Sequence, residues 1–162
     1  MKDKLIDFEK FYINQGDPDF ADIQFKNRTT VKSGGCAVCC AAMIICKSLN
    51  LTSAADKQAV IKKVIADTTN DGGLVTWADI KYNGRTFRFV KNVDYWGMLW
   101  ENEPSICKLN GHFVLVNGFD MNKMGYDMLL IKDPGARLNS NLQQPMQRYG
   151  SPFLDMISLK AV

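Results

Sequence analysis

The stretch SGGCAVCCAAMIICK, residues 33–47, decides how the rest of the chain is read. Its paired glycines, Gly34 and Gly35, allow a sharp turn. An Ala-, Met- and Ile-rich run then continues unbroken until Asn50. The apolar residues fall on all sides instead of one stripe, which predicts a core-buried helix of about three turns. Four of the five cysteines lie in it, three of them within five positions: Cys36 at its mouth, Cys39 and Cys40 about one turn inside, and Cys46 deeper still. They could be metal ligands, a redox pair, packing residues, or include a nucleophile.

A chain of 162 residues suits one domain with a real core. With 46% hydrophobic and 23% charged residues it should fold, as a single domain over 1–162 with a polar, turn-rich lead-in at 1–20 that packs on the outside. A net charge of +3 without a basic, aromatic-studded stripe points away from nucleic acid. No apolar run approaches the roughly 20 residues of a membrane span. The opening MKDKLIDFEKFYINQGDPDF has no apolar signal region, which implies synthesis in the cytoplasm without secretion through the general route. Five cysteines, an odd number with three of them too close to pair with one another easily, argue against a disulfide framework.

Outward from the cysteine helix, ADIQF at 21–25 suggests a short extended piece upstream. Downstream, Thr52 or Ser53 caps a second helix with apolar positions at Ala55, Ala59, Val60, Val64 and Ile65. It ends before the turn Asn70-Asp71-Gly72-Gly73, and a short helix or loop follows near 75–80. TFRFV at 86–90 alternates, and a helical turn is expected near 96–101. PSICKLN, HFVLVNGFD, YDMLLIKDPG and the terminal LDMISLKAV then read as strands. Helices first and mostly antiparallel strands afterwards define an α+β fold, the buried helix packed on a sheet.

His112 is the chain's single histidine. It opens the strand FVLVNGF, and the next strand, MLLIK, ends at Asp133-Pro134-Gly135. A hairpin of these strands brings Asp133 to His112, where a carboxylate can fix the ring tautomer and leave the other nitrogen for a nucleophile. Cys36 is that nucleophile: a helix N-terminus and a neighbouring imidazolium lower a thiol from about 8.5 into a range of roughly 3.5–7.5. Cys39, Cys40 and Cys46 are deeper in the helix, and Cys107 belongs to a core strand. Gln24, upstream, is the side chain assigned to an oxyanion hole together with the Cys36 backbone N–H.

The ordered pieces IQFKN, SGGCAVCCAAMI, NDGGLVTW, GHFVLVNGFD and LLIKDPG resemble the double-glycine leader peptidase-like group of papain-like cysteine peptidases, over residues 20–135. The resemblance implies a papain-like fold, with Cys36 as nucleophile, His112 as general base and acid, Asp133 as orienting acid and Gln24 as oxyanion donor. No metal or organic cofactor is implied. The implied substrates are peptides cut after small residues such as Gly-Gly, or the peptides of bacterial cell wall. A bacteriophage component acting at the wall fits a small member without a signal peptide.

Three other readings use the same residues. Ala37-Val38 follow the nucleophile where the group often carries Gly and then Pro or Ala, which leaves room for an inactive papain-like shell used for binding or virion assembly. Cys36-Ala-Val-Cys39 is a C-x-x-C at a helix start, the pattern of thiol oxidoreductases, but it lacks a leading strand and leaves His112 idle. A zinc site lacks a second C-x-x-C or a paired histidine.

Overall fold

The computed structural model describes residues 4–91, 103–124, 128–135 and 155–162. Among these, three α-helices pack with an antiparallel sheet. The helices are α1 (Val31–Gly34), α2 (Cys36–Leu49) and α3 (Ala54–Thr68), and the strands are β1 (Lys4–Leu5), β2 (Ile80–Tyr82), β3 (Arg85–Lys91), β4 (Ser105–Leu109), β5 (His112–Phe119), β6 (Leu129–Lys132) and β7 (Asp155–Ala161).

The helix predicted from Cys36 onward is α2, and its middle is apolar on every face because every residue from Ala37 to Cys46 is buried. It ends where Asn50 turns left-handed, at φ 54°, and its N–H closes back on Cys46 and Lys47. Ser53 caps α3 by accepting the Asp56 N–H at 3.1 Å, and Val60, Ile61, Val64 and Ile65 form its buried stripe. Both helices pack together, with α2 also on β5 and β4.

The sheet runs β1-β5-β4-β7-β3-β2, and β6 pairs with β5 as well. Each of these pairings is antiparallel. The last strand, β7, lies inside the sheet between β4 and β3, so the chain's end completes the core. No helix among the described residues is long and apolar enough to cross a membrane.

Of the short helix or loop expected near 75–80, the loop is found, and it runs into β2 at Ile80, which pairs with Phe87 and is buried. The N-terminal lead-in does not pack on the outside: Ile6, Phe8, Phe11, Ile13 and Phe20 belong to the main core. Their irregular spacing hides them in a polar composition, yet together they bury a large apolar area. Of the expected extended piece at 21–25, only Gln24 bridges, to Thr30. The helical turn expected near 96–101 lies outside the described residues.

The junction between α1 and α2 fixes where Cys36 stands. A β-carbon on Gly35 would lie 2.7 Å from the Val31 carbonyl oxygen and 2.8 Å from its Cα, so backbone occupies the space a side chain needs. At Gly34 the nearest atom would be Thr29 Cγ2 at 3.5 Å, an ordinary contact. Gly35→Ala is therefore expected to destabilise the fold by about 1–3 kcal/mol. Gly34→Ala, at an exposed helical site, should be neutral or stabilise slightly. Urea unfolding of the two variants checks this, and equal effects would contradict the proposed crowding at Gly35.

Candidate functional site

The antiparallel pairing of β5 with β6 carries the first half of the site. Its register sets Leu115 opposite Lys132, so the chain leaving β6 runs back toward the start of β5. There His112 Nε2 lies 2.7 Å from Asp133 Oδ1. The Asp133 side chain is fully buried and that of His112 only 12% exposed, so water competes little for this contact. The Gly135 N–H donates to the same carboxylate oxygen at 2.8 Å. A β-carbon at Gly135 would stand 3.2 Å from His112 Cε1 and 3.3 Å from Asp133 Oδ1, so glycine lets the turn close on the ring edge.

The second half comes from the start of α2. Cys36 is partly buried, and it lies close enough to His112 to act on the ring's charge. Asp133 takes Nε2, so a thiol acting on this ring as a nucleophile would meet it at the Nδ1 edge. Burial works against a charged ring, but the hydrogen bonds and charges of Asp133 and Cys36 outweigh it and push His112 up to about 9. The imidazolium is thus the favoured form at neutral pH.

The remaining cysteines are chemically unlike Cys36. Cys39, Cys40, Cys46 and Cys107 have no exposed surface. Desolvation pushes all four thiols up, Cys46 to about 12. Cys39 therefore lacks the exposed, lowered thiol that a C-x-x-C exchange pair uses.

Gln24 is not brought to this cluster. It is exposed, bridges to Thr30, and lines a depression with Pro18, Asp19, Asp22, Ile23 and Lys62. The glutamine that does approach is Gln15. Its Nε2 donates to the Lys32 carbonyl at 2.9 Å and the Val31 carbonyl at 3.3 Å, and its own N–H donates to the Pro134 carbonyl at 2.8 Å. Its Oε1 is buried and accepts no hydrogen bond from the described residues. Gln15 also lines an open cleft of about 480 Å³ with Asn14, Gly16, Asp17, Lys32 and Gly135. Gly135 joins that cleft to the His112 ring. The sequence carried no regular signal for Gln15, which sits in a turn just past the helical turn Glu9–Phe11 and the buried Ile13.

Trp77 packs edge-on against Phe89 at 5.1 Å and tilted against Phe113 at 5.6 Å, next to His112 in sequence. Trp96 and Trp100 lie outside the described residues. No family model, curated protein or solved structure matches the chain.

The raised His112 midpoint has a signed consequence. Its folded value of about 9 lies above the ordinary 6.5. The contact therefore stabilises fully below about pH 6.5, and that contribution is lost as pH rises through about 9. Asp133→Asn removes the carboxylate charge and should bring the midpoint down. A single histidine gives one imidazole signal, so NMR titration reads this directly. An unchanged midpoint in the variant would contradict the account.

Proposed function

We propose that the chain is a papain-like cysteine peptidase domain, working through Cys36, His112 and Asp133. The observation that carries this reading is one imidazole held between a buried carboxylate at 2.7 Å and the only partly exposed thiol among the cysteines. A proton transferred from Cys36 to His112 gives a thiolate–imidazolium pair, and the raised His112 value favours it.

The thiolate adds to a substrate carbonyl, forming a carbon–sulfur bond and an oxyanion. The oxyanion is received by the Cys36 backbone N–H at the start of α2 and by Gln15 Nε2, which turns from its longer 3.3 Å contact with Val31. His112 gives its proton to the leaving amine, and the carbon–nitrogen bond breaks to leave a thioester. His112 then takes a proton from water, whose oxygen attacks the thioester and releases the acid and the thiol. Asp133 holds the ring in one tautomer throughout. Gln15 replaces Gln24 as the oxyanion donor in this reading.

The substrates are peptides, and bacterial cell-wall peptides are preferred to Gly-rich leaders. The cleft beside Gly135 carries Asp17 and Lys32, one charge of each sign, which suits short peptides bearing both free amines and carboxylates. Delivery by a bacteriophage is the context proposed for such an enzyme. Should the domain be an inactive binding shell, peptides would associate without cleavage.

Release of new amino groups from purified peptidoglycan and from Gly-rich peptides tests this reading. Wild type should release them and Cys36→Ala should not. Gln15→Ala is expected to lower kcat by about 10²–10³-fold, while Gln24→Ala leaves it unchanged. Undiminished release by Cys36→Ala, or none by wild type on either substrate, would overturn it.

A further inference from the structure

The acid-bearing turn lies past the end of a ladder. The β5–β6 register runs from Phe119↔Leu129 to Leu115↔Lys132, so Asp133 and Pro134 are beyond the last pair. Each of three consecutive residues there is bonded to the N-terminal segment. Lys132 Nζ lies 2.6 Å from Glu9 Oε1. The Tyr12 hydroxyl donates to the Asp133 carbonyl. The Gln15 N–H donates to the Pro134 carbonyl at 2.8 Å. Partners at 9, 12 and 15 thus meet 132, 133 and 134 in order.

This segment is itself well anchored. Phe11 and Ile13 are buried in the core on either side of Tyr12. Lys57 of α3 donates to the Tyr12 carbonyl at 3.1 Å, so Tyr12 is held from the helix and holds the turn. Its ring also lies 5.7 Å from the buried Lys132 ammonium, a favourable cation–aromatic contact.

We propose that residues 9–15 form a strap that sets the Asp133 carboxylate against His112, with Tyr12 as its positioning residue. The strap also carries Gln15 to the cleft, so one segment places both the orienting acid and the amide. This rests on the proposed role of Asp133 in orienting His112. Tyr12 touches neither the thiol nor a substrate carbonyl; it acts through the backbone of Asp133.

The test compares wild type with Tyr12→Phe, which removes only a hydroxyl, and with Glu9→Gln, whose side chain is 57% exposed and keeps an amide oxygen for the buried Lys132 ammonium. Two quantities are read: the His112 midpoint by NMR, and the rate at which Cys36 is alkylated at about pH 6. Among the described residues, the titratable groups acting on His112 are Asp133 and Cys36, both unchanged in these variants. In Tyr12→Phe the midpoint should fall by about one unit toward 6.5, with Cys36 alkylation slowed about tenfold. Glu9→Gln should shift both the same way by less, and it carries the test if Tyr12→Phe does not fold. A lower Tm with both readouts unmoved would make Tyr12 merely structural and overturn the proposal. An ordinary midpoint and slow alkylation in wild type would instead overturn the underlying triad reading, and the strap with it.

Discussion

The hydrogen bond between His112 Nε2 and Asp133 Oδ1, 2.7 Å long and closed off from water, constrains much of this structure. It requires the first residue of one strand to meet the residue just past the end of another. An antiparallel β5–β6 pair meets that requirement, and the rest of the sheet holds β5 in place through β4 and β1. It also requires the turn to fold back without a side chain at Gly135, where a β-carbon would press on both partners. Once the ring is fixed, its orientation is set, and α2 begins with Cys36 close enough to act on its charge.

Delivering that thiol explains features that look extravagant alone. A helix buried from Ala37 to Cys46 has little freedom to slide or rotate, since every face is packed. The close contact of Gly35 with the backbone of Val31 fixes the helix start. Four other cysteines fill core space, where desolvation keeps them protonated, so the chain carries several thiols and presents one. In the proposed peptidase, this rigidity is what holds nucleophile, ring and carboxylate at working distances.

Much of this was legible in the sequence because it was written in strong local signals. Glycine punctuation and dense apolar residues marked α2; the Ser53 cap and periodic Val and Ile marked α3; alternation and turns marked β3 to β7. The hairpin logic joining His112 to Asp133 needed only adjacency. Less legible was whatever depends on distant pairing. The two residues of β1 and the buried Ile6, Phe8, Phe11 and Ile13 have no regular period, so a polar composition masked a segment that belongs to the core. Gln24 lies nearer Cys36 along the chain, yet Gln15 is nearer the site, because the strap is pinned to Pro134 across the fold. Sequence separation is a poor guide where a loop is held from outside its own neighbourhood.

The central claim is that Cys36 and His112 form one ionised pair. The most direct measurement is the alkylation rate of each cysteine by iodoacetamide against pH, resolved by mass spectrometry, in wild type and in His112→Ala. The account predicts that Cys36 alone reacts fast at about pH 6, well below the ordinary thiol value of about 8.5, and loses that advantage without His112. A Cys36 that reacts no faster than a free thiol, or equally fast in both proteins, would contradict it.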